Sequence, residues 1–279
     1  MRLWFITGAG RGLGRAFTEA ALEHGDRVVA TIRQDGVLDE LVKQYGDQLV
    51  PRRLDVASRA EVDAVVADVV ATVGTPDVVV NNAGYGLVGA IEELSEEEIR
   101  AQFDVNFFGA VWVTQAVLPH LRARGSGRIV QVSSVGAVGH LPLFGAYNAT
   151  KWALEGLSAA LAAEVAPLGI GVHLLQLGGF ATDWFGSSMR FTTADPAYDA
   201  TREAIMGMPG YPTAEMLAAA EPSGEESPAV AAKALLAFLD EPEPALRKII
   251  GTGAHDMVEL ALEQRRDDYR RDPAFTWPG

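Results

Sequence analysis

A tyrosine and a lysine four residues apart are the first residues in this sequence whose types and spacing suggest chemistry. They stand in the segment Tyr147-Asn148-Ala149-Thr150-Lys151, and this spacing places both side chains on one face of a helix. A free tyrosine has a pKa of about 10, but a nearby ammonium group favours the phenolate and lowers that value. The pair predicts a tyrosine that gives or takes a proton, with Lys151 as the charge that lowers its pKa.

A serine thirteen residues before the tyrosine could act on the same substrate atom. Ser134 closes the segment Val132-Ser133-Ser134, which reads as the end of a buried strand. Ligands of open α/β sheets bind at the carboxyl edge of the strands. The Ser134 hydroxyl is therefore expected to donate a hydrogen bond to a substrate oxygen as charge develops on it. A helix or turn cap is the plain structural alternative for this serine.

A glycine-rich loop lies between the first predicted strand and the first predicted helix. It runs Thr7-Gly8-Ala9-Gly10-Arg11-Gly12-Leu13-Gly14 and fits G-x-x-x-G-x-G, whereas Leu13 stands where G-x-G-x-x-G would have a glycine. Glycines let the backbone turn sharply and approach a pyrophosphate, whose charge the helix N-terminus favours. The position of the loop after an N-terminal strand predicts dinucleotide binding, with a simple tight turn as the alternative.

The end of the second predicted strand indicates which dinucleotide binds. A site that selects NAD usually has an acid there, but this strand ends in Ile32-Arg33. Arg33 and Arg11 are expected to hold a 2′-phosphate through charge-assisted hydrogen bonds. The sequence predicts NADP(H), with NAD(H) as the alternative; Asp35 lies nearby, and both arginines could instead be solvated surface residues.

These motifs together resemble the short-chain dehydrogenase/reductase family, in its single-domain branch. The resemblance covers residues 3 to about 182, and its elements occur in family order: Thr7–Gly14, Asp55-Val56, Asn81-Asn82-Ala83-Gly84, Asn106, Ser134, and Tyr147 with Lys151. It implies an enzyme that interconverts a ketone or aldehyde and its alcohol by hydride transfer. Tyr147 would be the acid or base, and Ser134 would orient the reacting oxygen.

The resemblance also implies roles for residues that spacing alone does not identify. Asn106 would bind a water that links Lys151 to solvent, and Lys151 would hold the nicotinamide ribose. Asp55 and Val56 would contact the adenine, while the segment after the sixth strand would contact the carboxamide; there Leu177 replaces the usual proline. The predicted catalytic residues are Asn106, Ser134, Tyr147 and Lys151. The predicted cofactor-binding residues are Gly8, Arg11, Gly12, Leu13, Gly14, Arg33, Asp55, Val56, Asn82, Ala83, Gly84, Tyr147, Lys151, Gly178, Phe180 and Thr182.

The residues expected to face the substrate are mostly apolar and aromatic. They are Tyr85, residues 136–143, Phe144, Trp184, Phe185 and a flap over residues 183–227. The set has no cluster of arginine or lysine, so it predicts a small hydrophobic carbonyl or alcohol substrate. Steroid-like, retinoid-like, polyketide-like and simple aromatic ketones all remain open. His140 could touch the substrate or be a plain loop residue.

Strands and helices alternate along most of the chain, which predicts a doubly wound, Rossmann-like parallel sheet of the α/β class. The candidate strands are Leu3–Thr7, Arg27–Ile32, Leu49–Leu54, Asp77–Val80, Arg128–Val132, Gly171–Leu177 and Arg247–Ile250. Helical patterns cover residues 12–24, 36–45, 58–73, 95–123 and 145–167. Residues 1–279 are predicted to form a single dinucleotide-binding oxidoreductase domain. It carries a helical substrate flap at about 183–227, which could instead be a disordered linker, and a C-terminal helix at about 255–271.

Composition excludes several other functions. The net charge of −14 argues against binding nucleic acid or an anionic membrane surface, and the absence of cysteine excludes disulfides and thiolate metal sites. The histidines at 24, 120, 173 and 255 show no ligand spacing, so no metal is predicted. We expect a cytoplasmic homodimer or homotetramer. The alternative functions are an NAD-dependent alcohol dehydrogenase of the same family and a non-catalytic dinucleotide-binding regulator.

Overall fold

Runs of valine, isoleucine and leucine form a parallel sheet at the centre of the molecule. The computed structural model describes residues 1–181, 189–219 and 226–276. Its strands are β1 (Leu3–Ile6), β2 (Arg27–Ile32), β3 (Leu49–Arg53), β4 (Val78–Asn81), β5 (Gly86–Val88), β6 (Gly127–Ser134), β7 (Ile170–Leu177), β8 (Met189–Phe191) and β9 (Arg247–Ile250). Seven of them pair in the order β3-β2-β1-β4-β6-β7-β9, all parallel, and β5 pairs with β8 beside this sheet. The predicted doubly wound α/β fold is confirmed.

Helices cover both faces of the large sheet. They are α1 (Gly12–Glu23), α2 (Asp39–Tyr45), α3 (Arg59–Thr72), α4 (Glu96–Phe103), α5 (Gly109–Arg124), α6 (Gly145–Val165), α7 (Asp199–Met206), α8 (Ala214–Ala219), α9 (Pro228–Leu239) and α10 (Ala254–Arg270). One apolar cluster lies under α1, α2 and α9, and the other lies under α3, α5 and α6. Successive side chains of a strand point to opposite faces of the sheet, so each strand contributes to both clusters. In β1, Trp4 and Ile6 belong to the first cluster, whereas Phe5 belongs to the second. Burial on both faces explains the lack of polar alternation in the strands.

The helix predicted over residues 95–123 is interrupted. Its start is confirmed: Ser95 forms a capping box in which its N–H donates to Glu98 and its Oγ accepts from the Glu98 N–H. A π-helix over Asp104–Phe108 then separates α4 from α5. Single π-helical turns inside α-helices are frequent at functional sites. This one contains Asn106, one of the predicted catalytic residues.

In the described ranges, none of the helices is both long enough and apolar enough to cross a membrane.

Candidate active site

The glycine loop is tied to the end of β4 by two side chains. Thr7 Oγ1 accepts hydrogen bonds from the backbone N–H groups of Asn82 and Ala83, both at 3.0 Å. Asn82 Nδ2 donates in turn to the carbonyl oxygens of Thr7 at 2.9 Å and Gly8 at 3.2 Å. These bonds join two motifs that the sequence keeps about seventy residues apart, so the loop is held rigidly at the carboxyl edge of the sheet.

Two glycines of the loop have backbone requirements that a larger residue would not meet. Gly8 has φ of 65°, a left-handed conformation that glycine adopts without strain. A Cβ on Gly14 would lie 2.3 Å from the Gly8 carbonyl oxygen and 2.4 Å from Asn82 Nδ2. Without a Cβ, Gly14 lets the first turn of α1 pack directly against Gly8 and Asn82. We call this loop and helix N-terminus the Gly14 cradle, because backbone N–H groups at a helix N-terminus suit a bound pyrophosphate.

The two arginines predicted to select NADP(H) lie on neighbouring segments. Arg33 directly follows β2, and Arg11 precedes α1; both are exposed. A hydrogen bond of 2.9 Å from the Ala9 N–H to the Thr31 carbonyl oxygen places the glycine loop beside the end of β2. Leu13 packs against the apolar cluster under α1.

The predicted adenine contacts lie at the carboxyl end of β3. Asp55 accepts a hydrogen bond from the Ala57 N–H at 3.1 Å, which shapes the turn after the strand. Val56 is buried, and a Cβ on Gly109 of α5 would lie only 2.7 Å from it. Asn81, at the end of β4, donates to Thr114 and Gln131 and so joins α5 to the central strands.

Asn106 is buried in the π-helix and pairs with a peptide backbone. Its Oδ1 accepts from the Tyr85 N–H at 3.0 Å, and its Nδ2 donates to the Tyr85 carbonyl oxygen at 2.9 Å. A longer contact of 3.5 Å joins Nδ2 to Thr150 Oγ1, next to Lys151. The amide thus fixes the chain directly after Gly84, and a Cβ on Gly84 would lie 3.2 Å from Asn106 Oδ1.

The structure brings Ser134, Tyr147 and Lys151 together at the carboxyl edge of β6. Ser134 Oγ accepts from the Gly136 N–H at 3.1 Å, which leaves the hydroxyl proton free to hydrogen-bond with Tyr147. The Lys151 ammonium lies 5.7 Å from the Tyr147 ring centroid and donates to the Val132 carbonyl oxygen at 2.8 Å. Tyr147 and Lys151 are both buried.

Burial is the main cause of the pKa shifts of Tyr147 and Lys151. It raises the pKa of Tyr147 to about 12, against a smaller lowering by the Ser134 hydrogen bond, and it lowers the pKa of Lys151 to about 8. The sequence predicted a Tyr147 pKa below its usual value. For the protein without cofactor or substrate, that prediction is wrong. The reason is that burial removes the hydration of the phenol, which penalises the charged phenolate.

The lowered pKa of Lys151 predicts an alkaline gain in stability. From about pH 8 to 10 only the unfolded chain holds the Lys151 proton, so the unfolded state binds more protons and raising the pH favours folding. Over that range the free energy of unfolding should rise by about 2–3 kcal/mol relative to Lys151→Met. Urea unfolding of both proteins at the two pH values measures this difference. Lys43→Met, at an exposed lysine, controls for the loss of a positive charge; a difference independent of pH would contradict the prediction.

The segment after β7 is described as far as Ala181. Leu177, which replaces the family proline, pairs with Ser134 on β6 and with Ile250 on β9. Gly178 donates to the Ile250 carbonyl oxygen at 2.9 Å, and the Phe180 side chain is buried in the apolar core. Thr182, Trp184 and Phe185 lie outside the described residues.

An apolar cluster lines the side where the substrate is expected. Leu143, Val88, Ala90 and Met189 are buried together, with five aromatic and apolar neighbours packed on them: Phe144, Phe191, Tyr198, Met206 and Tyr211. Leu143 has φ of 67°, which is rare for a branched side chain and marks local strain. Its carbonyl oxygen accepts from the Gly89 N–H at 2.7 Å, so the strained residue is held against β5. His140 is exposed beside this segment.

Part of the predicted flap is anchored by a buried carboxylate. Glu93 accepts hydrogen bonds from the Asp195 N–H at 2.8 Å, from Arg202 and from Tyr211. The side chains of Glu93 and Arg202 are both 0% exposed. Several bonds to one carboxylate therefore hold residues 189–211 against the chain that follows β5.

Sequence reasoning missed two features on the side where the substrate is expected. Arg190 lies 4.6 Å above the Tyr85 ring, and the pKa of Tyr85 is raised by burial against the opposing charges of Arg190 and Arg33. The ion pair of Arg202 with Glu93 was also missed. Both depend on residues about a hundred positions apart, and neither has a local signal in the sequence.

A doubly wound parallel sheet with a glycine cradle and a Ser–Tyr–Lys group at its carboxyl edge is typical of dinucleotide-dependent oxidoreductases. The sequence profile of the short chain dehydrogenase family matches residues 2–191. The chain belongs to this family and is an oxidoreductase. It is 41% identical over 263 residues to Oxidoreductase BOA17 of Botryotinia fuckeliana, covering 94% of this chain and 93% of that protein.

Solved structures share the fold over nearly the whole chain. A short-chain dehydrogenase from Streptomyces avermitilis superposes with a TM-score of 0.86 at 40% identity, covering 97% of each chain. An alcohol dehydrogenase from Thermococcus sibiricus, complexed with 5-hydroxy-NADP, has a TM-score of 0.72 at 26% identity, over 90% of this chain and 97% of that one. A short chain dehydrogenase/reductase from Burkholderia phymatum, in complex with NAD, has a TM-score of 0.78 at 26% identity, over 100% and 97%.

Proposed function

We propose that this protein is an NADP(H)-dependent oxidoreductase that interconverts a hydrophobic ketone or aldehyde and the corresponding alcohol, with Tyr147 as acid and base. The observation that carries the proposal is the group formed by the buried Tyr147 and Lys151 with the half-buried Ser134, at the same sheet edge as the Gly14 cradle. A dinucleotide bound at that edge would supply the hydride. The chain's own residues supply orientation and the proton.

In the reduction, Tyr147 donates its phenolic proton to the carbonyl oxygen and Ser134 donates a hydrogen bond to the same oxygen. The raised pKa of Tyr147, about 12, keeps the phenol protonated at neutral pH, as a proton donor requires. For oxidation, the same phenol must first lose its proton, which additional positive charge near Lys151 would assist.

The remaining predicted residues have positions that suit a cofactor. Asp55 and Val56 lie just after β3, where the adenine would bind, and Asn82 and Ala83 support the glycine loop. Lys151, held by the Val132 carbonyl oxygen, would turn its remaining donors to the nicotinamide ribose. Asn106, through its hold on Tyr85, keeps the chain beside the reacting group in place.

Selection of NADP(H) rests on Arg33 and Arg11, and replacing Arg33 tests it. Arg33→Ala should raise the Kd for NADPH about tenfold or more, because a charge-assisted contact to the 2′-phosphate is lost. The Kd for NADH should stay unchanged. Fluorescence titration with both cofactors measures this, and Arg100→Ala, at an exposed arginine paired with Glu96 on α4, is the matched control. An equal loss of affinity for both cofactors would mean that Arg33 contacts a part common to NADPH and NADH and not the 2′-phosphate.

The apolar cluster around Leu143 supports a hydrophobic substrate. Its described members are aliphatic and aromatic, and the anchored segment 189–211 forms one wall of it. The proposed substrate class extends over steroid-like, retinoid-like, polyketide-like and aromatic carbonyls, because the described members of this cluster are aliphatic and aromatic.

The activity is tested by mixing the protein with NADPH, and separately NADH, and a panel of apolar ketones and aldehydes while following the absorbance of the reduced nicotinamide. Consumption of NADPH in preference to NADH would support the proposal. A preference for NADH would favour the NAD-dependent alcohol dehydrogenase. Tight cofactor binding without turnover of any carbonyl or alcohol would favour the non-catalytic regulator.

We also propose that the protein is a cytoplasmic homodimer or homotetramer that associates through α4, α5 and α6. Phe108 is 38% exposed and stacks on Trp112. It borders a groove of about 560 Å³ that is lined by Ile99 and Phe103 and also by charged residues of α4 and the π-helix. Sedimentation of the purified protein tests the association, and a monomer at micromolar concentration would overturn it.

A further inference from the structure

Trp152 connects the catalytic helix to the loop that follows the catalytic serine. It comes directly after Lys151 on α6, and the residue is 42% exposed. Its Nε1–H donates to the carbonyl oxygens of Gly136 at 3.1 Å and Gly139 at 3.3 Å. A half-exposed tryptophan is therefore held by two backbone acceptors of one short loop.

The C-terminal helix α10 holds the same loop from outside. The Arg265 guanidinium carbon lies 4.1 Å from the Trp152 ring centroid, within the range of a cation–π contact. Arg265 Nη2 also donates to the Val138 carbonyl oxygen at 2.7 Å. Below this contact, Val258 packs with Val135 and Val138 in an apolar cluster.

The loop leads back to the reacting group through one hydrogen bond. Residues 135–137 form a single 3-10 turn, and Ser134 caps its N-terminus. The Gly136 N–H donates to Ser134 Oγ at 3.1 Å, and Ser134 is hydrogen-bonded to Tyr147. A shift of Gly136 would therefore turn the Ser134 hydroxyl away from the substrate oxygen.

We propose that Trp152 and Arg265, together the Trp152–Arg265 clamp, are positioning residues for catalysis: through them α10 fixes the loop 136–139 and so aims the Ser134 hydroxyl. Neither residue was assigned a role from the sequence. Arg265 lies beyond residue 191, where the family profile match ends. The inference rests on the proposed function, because it assumes that Ser134 orients a substrate oxygen.

The clamp is tested with two variants that keep most of each side chain. Trp152→Phe keeps an aromatic ring but loses the N–H donor, and Arg265→Met keeps the length but loses the charge and the bond to Val138. Each should lower kcat with an apolar ketone about tenfold, because small misplacements of an orienting group are costly. The Kd for NADPH should not change, since the glycine loop lies on other strands. Arg265→Lys, which keeps a cation over the ring, should recover part of kcat.

Arg270→Met is the matched control, because Arg270 lies on the same helix with its side chain 55% exposed. It should leave kcat at the wild-type value. Unchanged kcat in both clamp variants would overturn the proposal. So would a fall in kcat matched by an equal loss of NADPH affinity and of thermal stability, which would indicate general destabilisation.

Amide hydrogen exchange is a second test of the clamp that does not require a measurable activity. Arg265→Met should speed exchange at residues 135–139 and leave β1 and α1 unchanged. If wild-type protein reduces no carbonyl, the proposed function fails, while faster exchange would still support the clamp as the anchor of this loop. If residues 135–139 exchange in Arg265→Met at the same rate as in the wild type, the clamp proposal is overturned, whatever the activity.

Discussion

Tyr147→Phe is expected to lower kcat for carbonyl reduction about a thousandfold, the typical effect of losing a positioned proton donor. The substitution removes one hydroxyl from a ring that is buried against Phe144, with ring centroids 6.3 Å apart. The ring contact and the helix remain, so the fold should be intact. The Ser134 hydroxyl stays in place through the Gly136 N–H, so a small residual rate from orientation alone should persist.

The measurement is a full kinetic comparison of the variant and the wild type with one apolar ketone, together with NADPH titration of both. Cofactor affinity should change far less than kcat, because the glycine loop and Lys151 are left as they are in the wild type. Phe144→Leu, a change in the neighbouring ring, is a control for altered packing and should lower kcat far less. If Tyr147→Phe kept more than about a tenth of the wild-type kcat, Tyr147 would not be the proton donor.

Gly14→Ala should abolish measurable binding of the dinucleotide. The added Cβ would meet the Gly8 carbonyl oxygen at 2.3 Å and Asn82 Nδ2 at 2.4 Å, distances that real Cβ atoms do not reach. Because one of these atoms belongs to the backbone, the loop itself has to move, and Asn82 must release it. The moved loop no longer presents its N–H groups at the start of α1, so both NADPH and NADH should be affected.

Gly156→Ala is the matched control for this prediction. Gly156 is also a helical glycine, but nothing lies within 4 Å of the position where its Cβ would be. Alanine is favoured over glycine in a helix by up to about 1 kcal/mol, so this variant should be at least as stable as the wild type. Titration with both cofactors compares the two variants. Wild-type affinity in Gly14→Ala would mean that the cofactor does not use this loop.

Together these two variants separate the two halves of the proposed site. Tyr147→Phe should bind cofactor and fail to react, whereas Gly14→Ala should fail to bind. If both variants kept full activity, the active site would have to lie elsewhere in the protein.

The parts of the fold and the site that the sequence determined are those encoded by local patterns. Valine-rich runs that are apolar on both faces predict a parallel sheet, and the Ser95 capping box predicts where α4 begins. The four-residue spacing of Tyr147 and Lys151 places them on one helix face whatever the tertiary packing. A glycine loop between a strand and a helix also predicts dinucleotide binding without any information from distant residues.

The tertiary structure decided what depends on contacts between distant segments. The Glu93–Arg202 pair spans 109 residues, and the bond from Arg265 to Val138 spans 127. In the sequence a buried arginine looks the same as a solvated one. The pKa of Tyr147 shows the same limit: spacing predicted a lowering by Lys151, whereas burial raises the value to about 12. Desolvation depends on everything packed around a side chain, and no short segment of sequence contains that information.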